Sequence, residues 1–196
     1  MTDPARNSNA AGLQQPEETS LGRWLAETVL LVLLAFVLAL GIRTYIVEPF
    51  IIPTGSMIPT IEIGNRVLAE KITYRFVRPP EYRDIVVFPD PSGQHPHLIK
   101  RVIATGGQTV DLRDGAVYVN GNKLVEPYVH GQPSDPLPSA TPLTYPFTVP
   151  AGDVWLMGDN RGDSSDSRVF GPIPASRIDG HAVWTYWPLS AFGKLE

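Results

Sequence analysis

Residues 28–42 read TVLLVLLAFVLALGI and carry no charged side chain in fifteen positions. As a helix this stretch would be about 22 Å long at about 1.5 Å per residue, whereas the hydrocarbon layer of a membrane is about 30 Å thick. Trp24 and Tyr45 flank it 21 residues apart, about 32 Å along a helix, and aromatic residues are typical of both membrane interfaces. The pattern predicts one transmembrane helix over residues 24–45.

Two other structures fit the same stretch. One is a helix buried in a soluble core, although such helices usually keep a polar face. The other is a cleavable secretory signal, because Ala39-Leu40-Gly41 resembles a small-residue cleavage site. For a spanning helix, Arg6 and Arg23 before it, against Arg43 after it, weakly favour a cytoplasmic N-terminus.

The composition of the whole chain restricts its partners. Its 196 residues include 16 lysines and arginines against 20 aspartates and glutamates, for a formal net charge of −4. The basic surface with which proteins hold a phosphate backbone is therefore missing, and we predict no nucleic-acid partner. The absence of cysteine removes disulfides, thiolate nucleophiles and cysteine-bound metals. Residues 1–23 are polar and are predicted to be a disordered tail.

After the apolar stretch, residues 46–196 alternate short apolar runs with turn residues, which is typical of a β domain. Asp114-Gly115 and Asn120-Gly121 are strong signals for tight hairpin turns on either side of one short strand. Residues 129–146 carry five prolines and are predicted to form an extended excursion without sheet hydrogen bonds. The predicted strands are Arg66–Phe76, Asp84–Phe88, Leu98–Ala104, Thr109–Leu112, Ala116–Val119, Phe147–Met157 and Gly180–Trp187. The predicted fold class is mostly β, an antiparallel, barrel-like sheet domain with one N-terminal transmembrane helix.

Two side chains could supply hydrolytic chemistry. Ser56 lies in Pro53–Thr60, where proline and glycine fix a sharp loop that can present a hydroxyl group. Lys100 lies within an apolar strand, where loss of hydration lowers the pKa of an amine, and a neutral amine can take the proton of a serine hydroxyl. Taken singly, however, a loop serine is usually structural, and a lysine on an edge strand commonly prevents aggregation.

The third polar segment, Gly158–Arg168, reads GDNRGDSSDSR and follows an apolar strand. Such a segment is either a solvated loop or a buried hydrogen-bond network beside a site. Its spacing does not match a calcium loop, and the four histidines show no carboxylate-backed metal pattern, so we predict no metal and no cofactor. A serine triad that uses one of these histidines remains open.

Together, and in this order behind an apolar segment, the three segments resemble the type I signal peptidase family of Ser–Lys proteases. Ser56-Met57-Ile58-Pro59-Thr60 matches the family's Ser-Met-x-Pro-Thr motif, and Lys100-Arg101 matches the Lys-Arg that opens its general-base motif. Gly158–Arg168 matches Gly-Asp-Asn-Arg-x-x-Ser-x-Asp-Ser-Arg at every specified position. The resemblance extends from the apolar segment to about Gly171.

The resemblance implies a role for each matching residue. Ser56 would be the nucleophile and Lys100 the general base, with Ser164 orienting the lysine amine by a hydrogen bond. Behind them, Asp166 and Arg168 would form a supporting ion pair, and Asp159 would hold the loop. The oxyanion would be bound by the Ser56 N–H and the Thr54 hydroxyl.

The resemblance also implies shallow pockets for small residues at positions −1 and −3 of the substrate, lined by Phe50, Ile52, Met57, Ile61, Leu98 and Ile99. The implied function is removal of N-terminal signal peptides from exported preproteins after Ala-x-Ala. The implied partners are signal peptides and the lipid bilayer. The expected location is a cell membrane, with a cytoplasmic N-terminus and an extracytoplasmic catalytic domain, although a thylakoid or other organellar membrane remains open.

Three other functions remain as alternatives. A processing peptidase with a narrower substrate range, such as one for a conjugation pilus, would share Ser56 and Lys100. Self-cleaving repressors share the pair but are soluble and carry a DNA-binding half. A non-catalytic membrane-tethered β module would not need Ser164, Asp166 and Arg168 together with them.

Overall fold

A computed structural model describes residues 21–138 and 143–196. The predicted polar tail lies outside the described residues except for its last three, which belong to the first helix. The Arg23 Nε donates to Glu27 Oε1 one turn later, at 3.0 Å, and such an exposed pair supports a helix by about 0.2–0.5 kcal/mol.

Helix α1 comprises Leu21–Tyr45, and its 25 residues would extend about 37 Å at about 1.5 Å per residue. It is long and apolar enough to cross a membrane, and none of its residues is buried within the structure. The predicted span over residues 24–45 lies within this helix.

The rest of the chain forms two antiparallel sheets, which confirms the predicted fold class. Within residues 21–138 and 143–196 the strands are β1 (Val47–Ile51), β2 (Arg66–Glu70), β3 (Ile85–Pro89), β4 (His97–Thr105), β5 (Thr109–Arg113), β6 (Ala116–Val119), β7 (Asn122–Lys123), β8 (Phe147–Thr148), β9 (Asp153–Met157), β10 (Ile173–Pro174), β11 (Gly180–Trp187) and β12 (Gly193–Lys194). The larger sheet has the order β1-β2-β11-β3-β4-β9-β10, with β12 paired to β11. A second helix of one turn, α2 (Ser167–Phe170), follows β9.

The smaller sheet has the order β7-β6-β5-β8 and contains both predicted hairpins. Asp114 and Gly115 have φ values of 52° and 69°, and Asn120 and Gly121 have 51° and 78°. Positive φ at both central residues is the geometry that Asp-Gly and Asn-Gly favour. The two turns are therefore built as the sequence predicts.

Two strand predictions need correction, and four short strands, β1, β7, β10 and β12, were not predicted. The strand predicted over Arg66–Phe76 ends at Glu70, because the Glu70 Oε2 accepts from the N–H groups of Ile72 and Thr73 and starts a helical turn at Thr73–Val77. The strand predicted over Phe147–Met157 is interrupted by the turn at 150–152 and forms two strands. Of the unpredicted strands, β1 contains Pro49, which a strand at the end of the sheet order tolerates.

The proline-rich segment has no strand between β7 and β8 in its described part. It contains one short 3-10 turn, Pro127–Val129, and otherwise irregular chain up to residue 138. The excursion over residues 129–146 stays a prediction.

Strand β4 is the central element of the larger sheet. It pairs with β3 on one side and β9 on the other, and six consecutive residues, Ile99–Ala104, are buried. The two strands β1 and β4 are separated by three others in the sheet order, yet both line one cavity, so the sheet curves as a barrel-like sheet must. This curvature brings the chain that follows β1 next to β4.

Candidate active site

The centre of the site is a hydrogen bond between Ser56 and Lys100. The Lys100 Nζ lies 2.6 Å from Ser56 Oγ and also donates to the Ile99 carbonyl at 3.0 Å. Both side chains are buried, with Lys100 only 1% exposed. Among the described residues, the partner of the serine hydroxyl is therefore a lysine rather than one of the histidines.

The loop that carries Ser56 connects β1 to β2. It is closed at its base by two main-chain hydrogen bonds, Ile52 N to Asn65 O at 3.0 Å and Gly64 N to Ile52 O at 2.8 Å. Inside it, Ile61 N donates to Met57 O at 2.9 Å, and both of these side chains are fully buried. The burial of Met57 and Ile61 in the core fixes the loop, and Ser56 lies in its turn.

Burial changes the basicity of Lys100. Loss of hydration lowers the pKa of its amine from 10.5 to about 8, against the opposing effects of Asp166, Asp90 and Asp159, which raise the pKa. With this pKa, part of the Lys100 amine is already neutral near neutral pH. The pair therefore has both the distance and the basicity for proton transfer from the serine hydroxyl.

Strand β9 delivers the third predicted segment to the same place. Its Met157 is paired with Arg101 of β4, so the chain leaves the sheet beside Lys100 and enters the loop at Gly158. The Asn160 N–H then donates to Ser56 O at 3.1 Å, and the Asn160 Nδ2 donates to Gly55 O at 3.0 Å. The loop thus holds the main chain of Ser56 directly.

Asp159 connects the strand of the lysine with the loop of the serine. Its carboxylate accepts from the Arg101 Nε at 2.9 Å and Nη2 at 2.7 Å, a bidentate pair in which both side chains are fully buried. The same carboxylate accepts from the Thr60 hydroxyl. Asp159 therefore joins β4 to the loop of Ser56, and its holding role in catalysis stays a prediction.

Asp166 and Arg168 form a buried ion pair at 2.9 Å, at the start of α2. The Asp166 Oδ2 also accepts from the Gly158 N–H at 3.1 Å, and its Oδ1 accepts from the Arg168 N–H at 3.1 Å. The pair therefore closes the loop on itself behind Lys100.

Ser164 lies in the site without the hydrogen bond expected of it. Its side chain is buried, and an added Cβ on Gly158 would overlap its Oγ, so the two residues are in contact. Lys100, however, bonds Ser56 and Ile99, and Ser164 Oγ has no hydrogen-bond partner among the described residues. The orienting role of Ser164 stays a prediction.

The predicted pocket residues divide into two groups. Phe50, Ile52, Leu98 and Ile99 line a cavity of about 30 Å³ together with Thr54, Val87 and the imidazoles of His95 and His97. Met57 and Ile61 are fully buried in the core cluster behind it and do not line it. Sequence reasoning missed both histidines as lining residues. His95 lies in the loop before β4 and His97 begins β4, and the sequence does not indicate the path of this loop.

Sequence reasoning also missed how many arginines the site buries. Arg101, Arg161 and Arg168 are 0%, 0% and 1% exposed, and each is paired with one carboxylate. The burial of Arg101 could have been predicted, because this arginine lies inside an apolar strand. No local signal connects Arg161 with its partner, which lies 35 residues earlier.

No group of three or more His, Asp or Glu side chains within residues 21–138 and 143–196 could hold a metal ion.

A serine hydroxyl on a buried lysine of lowered pKa, in a β domain behind an apolar helix, is the arrangement of a Ser–Lys hydrolase. The family model for signal peptidase, peptidase S26, matches residues 25–187. The chain belongs to this family of serine peptidases.

Several relatives are similar over most of this chain. A probable signal peptidase I-1 of Synechocystis is 41% identical over 88% of this chain and 88% of its own length. Signal peptidase I of Leptolyngbya laminosa is 40% identical over 87% of this chain and 84% of its own length. A probable chloroplastic thylakoidal processing peptidase of Arabidopsis thaliana is 37% identical over 82% of this chain, which corresponds to 44% of that protein.

We predict that Gly158→Ala abolishes most activity. Its Cβ would overlap Ser164 Oγ and the Ser56 carbonyl and lie 2.7 Å from Ser164 Cβ, so the loop must move away from Ser56. A displacement of about 1 Å in a catalytic arrangement can lower the rate by about 10²-fold. The measurement is kcat/KM for cleavage of a preprotein. Gly162→Ala is the matched control, because its Cβ meets nothing within 4 Å; equal activity of both variants would contradict the packing described here.

We predict that kcat/KM rises with pH and levels off above an inflection near 8. The reaction needs the neutral amine of Lys100, whose pKa is about 8, so protonation at lower pH removes about tenfold of the activity per pH unit. The profile is measured between pH 6 and 10, with the melting temperature recorded at each pH to exclude unfolding. An inflection near 6.5 would instead indicate a histidine, and one near 10.5 an unperturbed lysine.

Proposed function

We propose that Ser56 is the nucleophile and Lys100 the general base with which this signal peptidase removes signal peptides from preproteins. The observation that carries the proposal is the 2.6 Å hydrogen bond between the two side chains, made by a lysine whose pKa burial lowers to about 8. A serine hydroxyl is a weak nucleophile unless a base takes its proton during attack, and Lys100 is the base within reach.

In the proposed acylation step, Lys100 Nζ accepts the Ser56 proton as Oγ attacks the scissile carbonyl carbon. The tetrahedral intermediate collapses when the protonated amine gives that proton to the leaving nitrogen, which breaks the peptide bond and releases the mature protein. The signal peptide is then held as an ester on Ser56. A water molecule, deprotonated by the same amine, attacks the ester, and the returning proton regenerates the Ser56 hydroxyl.

The proposed oxyanion site consists of the Ser56 N–H and the Thr54 hydroxyl. Among the described residues, neither group donates a hydrogen bond, so both are available to an incoming oxygen. Thr54 is half-buried and lines the cavity beside the site. Each such donor contributes most when the carbonyl oxygen gains its negative charge.

The cavity supports a preference for small residues at positions −1 and −3. Its volume of about 30 Å³ gives room for a small side chain, and the walls formed by Phe50, Ile52 and Ile99 are apolar. A larger side chain would overlap these walls, so Ala-x-Ala is favoured by steric exclusion.

We further propose that α1 anchors the enzyme in the membrane, with the N-terminus cytoplasmic and the β domain outside the cytoplasm. The helix has no charged residue between Glu27 and Arg43, and its apolar side chains are exposed in the structure. The apolar segment of a substrate signal peptide lies in the same bilayer. Anchoring the enzyme there therefore raises the local concentration of enzyme and cleavage site.

The first test is cleavage of a preprotein with an Ala-x-Ala site by the full chain in detergent. We expect no cleavage by Ser56→Ala or Lys100→Ala, and almost none by Lys100→Arg, because a guanidinium stays protonated. Product masses should place the cut after the −1 residue. Full activity of Lys100→Ala would overturn the base assignment, and an inactive wild type in lipid as well would favour a narrower substrate range or a non-catalytic module.

The second test concerns the anchor. After alkaline carbonate extraction of membranes, we expect the full-length chain in the pellet, with an external protease digesting the β domain of intact spheroplasts. The control variant Leu31→Arg/Leu34→Arg should be extracted, because each arginine near the centre of a spanning helix disfavours insertion by about 2.5–3.5 kcal/mol. A wild type cleaved after Gly41 would show that α1 is a removable signal.

A further inference from the structure

Three side chains of the segment 124–134, which leads from β7 into the proline-rich excursion, are buried against the catalytic loop. They are Glu126, Tyr128 and Ser134, and the latter two are 8% and 2% exposed. The segment belongs to none of the three motifs of the family resemblance. Its contacts are nevertheless with the loop Gly158–Arg168 and with Arg101.

Glu126 forms a bidentate ion pair with Arg161. Its Oε2 accepts from Arg161 Nη1 at 3.0 Å and its Oε1 from Nη2, and the two side chains are 7% and 0% exposed. Ser134 Oγ also accepts from Arg161 Nη1. Two of the three guanidinium nitrogens of Arg161, Nη1 and Nη2, are therefore hydrogen-bonded to residues outside the catalytic loop.

The third nitrogen of Arg161 acts on the catalytic loop itself. The Arg161 Nε donates to the Gly158 carbonyl at 3.0 Å. The main-chain carbonyl of Arg161 accepts from Arg168 Nη2 at 2.8 Å. Gly158 is packed against the Ser56 carbonyl so closely that a Cβ would not fit. A continuous chain of contacts thus runs from Glu126 through Arg161 and Gly158 to Ser56.

Tyr128 connects the same segment to the second buried arginine. Its hydroxyl donates to Glu126 Oε1 at 2.9 Å, and its ring lies 4.0 Å from the guanidinium carbon of Arg101. Arg101 in turn holds Asp159 and donates to the Arg83 carbonyl at 3.0 Å. The segment therefore fixes both arginines on either side of the turn that contacts Ser56.

We infer that Glu126 is a positioning residue for the cleavage reaction, which acts through Arg161 to hold Gly158 against the nucleophile, with Tyr128 and Ser134 supporting it. The inference rests on the proposed function of Ser56 and Lys100. It assigns a part in catalysis to the segment 124–134, which leaves the small sheet after β7 and reaches Arg161.

The test compares Glu126→Gln with wild type in the full chain. Glutamine keeps the size and one acceptor but removes the charge. We expect kcat to fall by about 10–10²-fold through displacement of Gly158, with KM within about twofold of wild type. The pH inflection near 8 should stay, since Glu126 is not among the groups that shift the pKa of Lys100. Asp114→Asn, the same charge change on an exposed hairpin turn, is the control and should keep wild-type kcat.

Melting temperature and circular dichroism separate positioning from folding. All rates are measured well below the melting temperature and normalised to folded protein, and Glu126→Asp should recover part of the lost kcat because it keeps the charge. A folded Glu126→Gln with wild-type kcat would overturn the inference. If Glu126→Gln does not fold, Tyr128→Phe and Ser134→Ala each remove one hydroxyl, and wild-type kcat in both would overturn it equally.

Ser56→Ala is assayed in parallel. If Ser56→Ala is inactive and Glu126→Gln keeps wild-type kcat, only the inference about Glu126 fails. If Ser56→Ala cleaves the preprotein, the proposed function itself fails.

Discussion

The neutrality of one buried amine is the condition on which the site depends. Lys100 can take a proton from Ser56 only while it carries none itself, and burial provides this by lowering its pKa from 10.5 to about 8. At pH values below 8 the same burial costs about 3 kcal/mol of folding free energy, a penalty that disappears as the pH rises above 10.5. The surrounding sheet has to supply this stability, which is why the lysine lies on β4, a strand paired on both sides and buried over six consecutive residues.

Three buried arginine–carboxylate pairs hold the catalytic loop, and two of them connect segments that are far apart in sequence. Arg101–Asp159 joins the strand of the lysine to the catalytic loop, Arg168–Asp166 closes that loop, and Arg161–Glu126 joins it to the segment 124–134. Breaking a buried pair by removing one partner is typically destabilising by about 3–5 kcal/mol, because the other charge is left without compensation. Such pairs fix the positions of the segments they join rather than add much net stability. The site needs fixed positions, because Ser56 Oγ has to stay about 2.6 Å from the Lys100 amine.

The features that could be predicted from the sequence are those set by the conformational preferences of neighbouring residues. The Asp-Gly and Asn-Gly turns were correct because their positive φ values are a property of those residues. Ser56, Lys100 and the loop after Met157 were found as three separate segments, and the family resemblance assembled them. Contacts over long sequence separations were not predictable in this way: the Glu126–Arg161 pair and the histidines of the cavity depend on how the sheet curves. The strand after Arg66 was overextended because Glu70 captures the next two N–H groups.

Charge balance explains why the positioning arginines do not disturb the base that they surround. Removal of Asp159 or Asp166 would take away a negative charge that raises the pKa of Lys100, and would therefore lower this pKa further. Asp166 and Asp159 raise the pKa of Lys100, yet burial has the larger effect. Each of these carboxylates is also paired with an arginine. The pairing of each of the three buried arginines with one carboxylate therefore serves two purposes. It fixes the loop against Ser56, and it leaves burial as the influence that sets the basicity of Lys100.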